Sequence, residues 1–432
     1  MALESTPEST PGSAGGSPAY AQNILAQNVA PQVSSPQNSA ADSASGELVD
    51  TQMNPSTAPE SSAVASSDEL LRRGMDSMTR QYYEAATKDF REVLRREPDN
   101  IAARNNLAVA LKKAGQLDAA LEEYKKAIAS NPSRPELYNN LACTYMSLGD
   151  FNQAMTSFYQ AIHLKPDYAS ARYNLAHLLY LTGDHGGAVE QYQQALALEP
   201  NSAIIHRDFG DALKAQGQLK QAFIEYKNAE RLGDQSTPIL IRIARVQKDL
   251  GELSQARATL EGALEKAPKN TEILNLLGII AWKEKHLQDA IALFERALDL
   301  DPKYPQARNN LGIILYLLHR YEDAVAVWRQ ALAIKPDYAE VHYNMGAALF
   351  RAGLYRQAAD AYAESLRYHP DDARAHNNRG LALARMGEHT EACVEWRKAL
   401  QLDPDLGPAH VNLGRELMRE QPQNQEDIHE SS

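Results

Sequence analysis

The sequence has little cysteine, no surplus of positive charge and no long apolar run. Its 432 residues contain only two cysteines, Cys143 and Cys393, which excludes a disulfide framework and a four-cysteine zinc site. The net charge is −12, so the counterion release that drives binding to nucleic acids or anionic membranes is not expected. Because no run of about 18 apolar residues occurs, we also expect no direct membrane insertion.

The first 66 residues contain no lysine or arginine and only one aromatic residue, Tyr20. They hold seven prolines, thirteen serines and six acidic residues, and this leaves too little apolar surface to offset the entropy of ordering. The sequence therefore predicts a disordered N-terminal tail over residues 1–66 and a second one over residues 421–432. The first residues lack the basic and apolar regions of a secretory signal, which favours a cytoplasmic location.

An internal repeat of 34 residues fills the sequence between the tails. Ten copies run in one phase from residue 67 to residue 406 without insertion or deletion. The twentieth position is alanine in every copy: Ala86, Ala120, Ala154, Ala188, Ala222, Ala256, Ala290, Ala324, Ala358 and Ala392. The eighth position is always glycine or alanine, the twenty-fourth is aromatic or leucine, and proline stands at the thirty-second in nine copies.

This pattern predicts two helices in each repeat. Small residues at fixed positions let two helix backbones approach, and a large residue four positions later lies beside them on the same helical face. Glycine at the fifteenth position ends the first helix in seven repeats, and the proline ends the second. One such helix pair cannot bury its own apolar face, so neighbouring repeats must stack.

Ten in-phase copies of this motif resemble the tetratricopeptide repeat family. The resemblance implies an all-α fold, a right-handed alpha-alpha superhelix whose first helices line a concave groove. It divides the chain into a solenoid over 67–420, made of the ten repeats and a capping helix over 407–420, and the two tails. Because the repeat phase is unbroken, we expect one continuous superhelix.

The resemblance also assigns the second, fifth, sixth, ninth, twelfth and thirteenth positions of each repeat to the groove. Asparagine recurs at the sixth: Asn106, Asn140, Asn174, Asn310, Asn344 and Asn378. A carboxamide both donates and accepts hydrogen bonds, so it can hold a peptide backbone without reading side chains. The superhelical arm of O-linked N-acetylglucosamine transferase, which this chain resembles, uses such a ladder. The alternative is that these asparagines only bridge neighbouring repeats.

Large rings recur at the twelfth position, namely Tyr180, Trp282, Tyr316 and Phe350. Aromatic side chains in a concave surface suit the anchoring of a peptide. Packing between repeats is the alternative interpretation for these four rings.

Repeats five and six place charged residues at the groove positions instead of asparagine. Asp208 and Arg242, like Asp211 and Arg245, stand 34 residues apart, so the sequence predicts two ion pairs between these repeats. In the competing interpretation this region selects ligands. Three remaining cations would then meet an acidic group of the ligand: Arg207, Lys214 and Lys248.

The function expected from these features is a non-catalytic scaffold or adaptor that binds extended peptides or partner helices. No Gly-rich phosphate loop is present, and we expect no cofactor, no metal and no nucleic acid as partner. Two alternatives remain open. One is an accessory or specificity arm of a separate enzyme such as a glycosyltransferase, and the other is a periplasmic or membrane-associated assembly factor.

Overall fold

The computed structural model describes residues 65–420, so both predicted tails lie outside the described residues except for Ala65 and Ser66. The all-α prediction is confirmed: the described residues form 21 helices joined by short turns. They are α1 Ser67–Thr79, α2 Tyr83–Arg96, α3 Ile101–Lys113, α4 Leu117–Ser130, α5 Pro135–Leu148, α6 Phe151–Leu164, α7 Ala169–Leu181, α8 His185–Leu198, α9 Ala203–Ala215, α10 Leu219–Arg231, α11 Thr237–Asp249, α12 Leu253–Lys266, α13 Thr271–Lys283, α14 Leu287–Leu300, α15 Pro305–Leu317, α16 Tyr321–Ile334, α17 Ala339–Arg351, α18 Tyr355–Tyr368, α19 Ala373–Met386, α20 His389–Leu402 and α21 Gly407–Glu420.

The described chain divides into two compact units, residues 65–251 and residues 252–420. Each unit is a stack of helix pairs in which the two helices of one repeat pack together and the second helix packs on the first helix of the next repeat. First helices of neighbouring repeats also touch, as α5 touches α7 in one unit and α15 touches α17 in the other. Within each unit the first helices therefore present a shared surface, which we call the first-helix face.

Every helix pair follows the repeat phase of the sequence. First helices begin at the first position and second helices at the seventeenth position of all ten repeats. The ten alanines at the twentieth position have no exposed surface. Glycine at the eighth position packs against the ring at the twenty-fourth: a Cβ placed on Gly278 would lie 2.6 Å from Cε1 of Phe294. The small and large positions therefore form the contact that the sequence predicts.

The fifteenth position ends each first helix in a left-handed backbone conformation. The seven predicted glycines all have positive φ, such as 80° at Gly149. In repeat three the amide of Asp150 donates to the carbonyl of Tyr145 and that of Gly149 to the carbonyl of Met146, which closes the helix end. Three repeats without glycine adopt the same conformation, at Gln81, Lys285 and His319, which the sequence analysis did not predict.

The proline at the end of one repeat also holds the first helix of the next. Its carbonyl accepts a hydrogen bond from the fourth position of the following repeat, as His342 Nε2 lies 2.9 Å from the oxygen of Pro336. The same bond is made by Arg104, Arg172, His206, Arg308, His376 and His410. These histidines therefore join repeats.

Candidate peptide-binding face

Side-chain rungs connect neighbouring first helices across the first-helix face. The side chain at the sixth position of one repeat reaches the fifth position of the repeat before it, 35 residues earlier. Asn174 Nδ2 lies 2.9 Å from Asn139 Oδ1 and 3.5 Å from the sulfur of Cys143, at the ninth position. Equivalent bonds join Asn140 to Asn105, Asn310 to Asn275, Asn344 to Asn309 and Asn412 to Asn377. The sixth position thus lies against the fifth and ninth positions of the preceding helix.

The rungs leave little of the predicted asparagine ladder exposed. Asn140 and Asn344 expose 1% and 2% of their surface, and Asn106, Asn174 and Asn310 are also buried. Asn378 is half-buried and donates to the hydroxyl of Tyr343 at 3.0 Å, whereas Asn106 accepts from its neighbour Asn105 at 3.3 Å. These bonds correspond to the bridging alternative, and contact of the ladder with a peptide stays a prediction.

Three of the four predicted aromatic residues are half-exposed and pack against the residue that begins the next helix. The ring of Tyr316 lies 5.5 Å from that of Tyr321, and the ring of Phe350 lies 5.3 Å from that of Tyr355. The guanidinium of Arg385 lies 5.7 and 5.8 Å from the centres of the latter two rings. Repeats eight and nine therefore each present an aromatic pair.

The other two predicted rings are Tyr180 and Trp282. Tyr180 packs against the histidine that begins the next helix, with its ring 5.3 Å from that of His185. Burial raises the pKa of the Tyr180 phenol, so its hydroxyl keeps its proton and can donate a hydrogen bond. Trp282 exposes only 9% of its surface and is the most buried of the four, which favours packing as its role.

The charged residues of repeats five and six form pairs other than the predicted Asp208–Arg242 pair. Nε of Arg242 lies 2.9 Å and 3.1 Å from the two carboxylate oxygens of Asp211, 31 residues earlier. Asp208 instead accepts from Arg207 Nε and from the hydroxyl of Tyr173, both at 2.7 Å. The prediction of an Asp208–Arg242 pair was wrong because the sixth position lies against the fifth and ninth positions, and the fifth here is another cation, Arg207. The pairing of Asp211 with Arg245 stays a prediction.

Buried partners hold this arrangement in place. The hydroxyl of Tyr226, a ring with no exposed surface, donates to Asp211 Oδ1 at 2.7 Å. Burial disfavours the charge of Arg242, but Asp211 outweighs that effect and the pKa of the guanidinium is raised. Asp211 is therefore oriented by one residue from its own repeat and neutralised by one from the next.

Two of the three cations expected to be left over for a ligand are paired within the chain. Arg207 bonds to Asp208, and Lys248, whose side chain is 2% exposed, lies 3.0 Å from Asp249. Arg207 and Lys248 are therefore not left over as unpaired cations, and their contact with a ligand stays a prediction. Lys214 differs, because it is half-buried and no carboxylate among residues 65–420 lies within ion-pair distance of its Nζ.

Sequence reasoning missed the residues at the fifth position, which complete the rungs. They are asparagine or tyrosine in seven repeats: Asn105, Asn139, Tyr173, Asn275, Asn309, Tyr343 and Asn377. The sequence does place polar residues 35 as well as 34 positions apart, but only the coordinates show that the 35-residue spacing forms the contacts. The extra residue in the spacing is the signal that was overlooked.

No group of three potential metal ligands occurs among residues 65–420. None of the helices described there has the length and apolar character needed to cross a membrane. Cys143 and Cys393 are buried, and burial raises the pKa of the Cys143 thiol, which makes it a poor nucleophile.

Stacked helix pairs with a polar and aromatic first-helix face define a helical-repeat scaffold for protein interactions. Family profiles described as TPR repeat or tetratricopeptide repeat match this chain. One matches residues 110–149, 143–183, 177–217 and 314–353, a second matches 241–305 and 343–407, and a third matches 90–122 and 293–326. The matches together cover more than half of the sequence, and the chain belongs to the tetratricopeptide repeat family, whose members bind protein partners.

No curated protein matches the chain significantly. Among solved structures, a crystal structure of MamA is similar at 25% identity and a TM-score of 0.36, covering 38% of this chain and 95% of MamA. A chain in the crystal structure of the APC/C hetero-tetramer Cut9-Hcn1 is similar at 14% identity and a TM-score of 0.46, covering 82% of this chain and 97% of that one. Yeast Tom70 is similar at 16% identity and 0.44, covering 82% and 88%.

Proposed function

We propose that this protein is a non-catalytic adaptor whose first-helix faces bind extended peptides of partner proteins. The observation that carries the proposal is the pair of half-exposed aromatic contacts in consecutive repeats, Tyr316 with Tyr321 and Phe350 with Tyr355. Large rings that are partly exposed and held by neighbours provide contact area at little cost in side-chain entropy.

The rungs beneath this surface support the same function. Hydrogen bonds between the sixth and fifth positions hold neighbouring first helices in a fixed register. A surface that is already ordered loses less entropy on binding than one that must be ordered by its ligand. Because such rungs join each successive pair of first helices from α13 to α21, this surface presents similar contacts at regular intervals, which suits an extended chain.

A display library of random dodecapeptides tests the proposal. We expect the full-length protein to enrich peptides that bind at least tenfold more weakly to the double variant Tyr316→Ala, Phe350→Ala, since truncating an anchor removes more than about 1 kcal/mol of binding free energy. The matched control is Tyr159→Ala on α6, a second helix, where the ring is 51% exposed and binding should be unchanged.

Three results count against the proposal: no enriched peptide, equal binding by the double variant, or the same loss in the control. Circular dichroism of each variant verifies that the helices are intact. The accessory-arm and assembly-factor alternatives, the similarity to the transferase arm and the cytoplasmic location stay predictions.

A further inference from the structure

The first-helix face of residues 65–251 carries a cluster of charges that differs from the asparagine rungs beside it. We call this cluster the polar band, and it comprises Arg207, Asp208, Asp211 and Lys214 of α9 and Arg242, Arg245, Lys248 and Asp249 of α11. Five cations face three carboxylates in the band. This local excess of positive charge stands in a chain whose net charge is −12.

All three carboxylates of the band already have partners within the chain. Asp208 is held by Arg207 and Tyr173, Asp211 by Arg242 and Tyr226, and Asp249 by Lys248. The structure therefore fixes these negative charges in intramolecular bonds with Arg207, Arg242 and Lys248, and Lys214 lies outside these three pairs.

Lys214 is the residue through which the band can act on a ligand. It occupies the twelfth position, the one that holds Tyr180 in repeat four, Tyr316 in repeat eight and Phe350 in repeat nine. Burial lowers the pKa of its ammonium, and Arg245 and Arg242 add to that effect against Asp249 and Asp211. A half-buried cation with no ion-pair partner gains most from an added carboxylate, because that anion restores the interaction lost with water.

The neighbouring side chains suit a carboxylate as well. Tyr180 lies near enough to Asp211 and Arg242 for both charges to act on its phenol, and its hydroxyl remains protonated. Burial lowers the pKa of His177, which stacks on Tyr173 at 6.5 Å between ring centres, so this ring adds no positive charge near neutral pH. Lys214 is thus the cation of the band that this site offers to the carboxylate of a ligand.

We propose that the polar band selects partner peptides with a glutamate or aspartate side chain, which is seated on Lys214. This inference rests on the proposed function, because the peptide must lie along the first helices for its side chain to reach the twelfth position. It adds a chemical class of partner and a specificity-determining residue.

The test uses the same dodecapeptide library on four full-length variants. We expect the wild-type protein to enrich aspartate and glutamate relative to the input library, and Lys214→Arg to do the same because it keeps the charge. Lys214→Gln should lose the enrichment. Lys220→Gln, which removes an exposed cation from the second helix α10 of the same repeat, is the matched control and should keep it. Lys214→Tyr, which copies repeat four, is a second neutral variant should the first fold poorly.

A second measurement uses the tightest acidic peptide from that selection. Replacing its critical glutamate by glutamine should weaken binding to the wild-type protein about tenfold, the size expected for one charge-assisted hydrogen bond. The same replacement should change binding to Lys214→Gln by less than about twofold, because the partner of the carboxylate is already gone.

The outcomes separate the two proposals. If peptides are enriched without a preference for acidic residues, the inference fails and the proposed function stands. If acidic peptides are enriched equally by Lys214→Gln, the assignment to Lys214 is wrong. If no peptide is enriched at all, the proposed function fails and the inference with it.

Discussion

The fifteenth position of each repeat shows how one backbone conformation constrains residue choice. All ten residues there have positive φ, and seven of them are glycine. A side chain in the left-handed region brings Cβ close to the following carbonyl oxygen, at a cost of about 1–2 kcal/mol. Gln81, Lys285 and His319 therefore store strain that the other repeats avoid.

Replacing Lys285 by glycine should stabilise the protein. Removing the strain outweighs the extra flexibility of glycine in the unfolded chain, so we expect the free energy of unfolding to rise by about 0.5–1 kcal/mol. Lys285 is exposed, which limits other effects. Urea unfolding followed by circular dichroism measures the change, and Gly353→Ala, where φ is 80°, should shift stability in the opposite direction. A destabilised Lys285→Gly variant would contradict this account.

The partners of Arg242 illustrate what sequence spacing cannot supply. Periodicity alone places equal positions of adjacent repeats side by side, which led to the pairing with Asp208. The helices are in fact offset, so that the sixth position contacts the preceding helix at the fifth and ninth positions in the case of Asn174 and at the ninth position in the case of Arg242. The sequence analysis assigned these residues to first helices, where they lie, and the offset between helices required coordinates.

A double-mutant cycle on Asp211→Asn and Arg242→Gln should reveal this pairing. Both side chains are partly exposed, 24% and 34%, so we expect a coupling energy of only about 0.5–1.5 kcal/mol in chemical denaturation. The same cycle on Asp208 and Arg242 should give a smaller value. Equal coupling energies in the two cycles would show that Arg242 has no preference for Asp211 over Asp208.

At the scale of the element, helix boundaries were the most predictable feature. The repeat phase predicted two helices in each repeat, and the fifteenth-position glycines and terminal prolines predicted where they end. Charge and polarity patterns do not encode which helices a side chain reaches, so the rungs and the contacts of Lys248 were not predictable in the same way.

The capping helix α21 should stabilise the end of the stack. Leu413 packs on the cluster of Ala392, Cys393 and Trp396, and Asn412 donates to Asn377 at 2.9 Å. A chain that ends at residue 406 should therefore expose this cluster, lose several degrees in unfolding temperature by calorimetry and aggregate more readily. A chain that ends at residue 420 is the control and should match the full-length protein. Equal stability of the two truncated chains would show that repeat ten is stable without α21.

At the scale of the whole molecule, the repeat phase predicted ten helix pairs and the family. The tails were predicted from composition, and they lie outside the described residues. The specific role of the charged repeats was predicted only as one of two alternatives, because a charge pattern does not reveal which ions are already paired.

Removing residues 1–63 should leave the folded stability unchanged. Among residues 65–420, the first bonds of the stack are made by Ala65, whose carbonyl accepts from Arg96 Nη1 at 2.6 Å, and by Ser66, whose hydroxyl caps the amide of Glu69 at 3.2 Å. Thermal unfolding by circular dichroism should coincide for the full chain and a chain that begins at residue 64. A chain that begins at residue 80 lacks α1, uncovers the buried ring of Phe90 and should unfold at a lower temperature.

The three tryptophans are an intrinsic fluorescence probe of one unit of the molecule. All three, Trp282, Trp328 and Trp396, lie in the unit of residues 252–420, and all are buried. Selectively excited tryptophan emission therefore follows that unit alone, while far-ultraviolet dichroism follows the helices of both. Heating an unlabelled sample and comparing the two signals shows directly whether the units melt as one cooperative body or in succession.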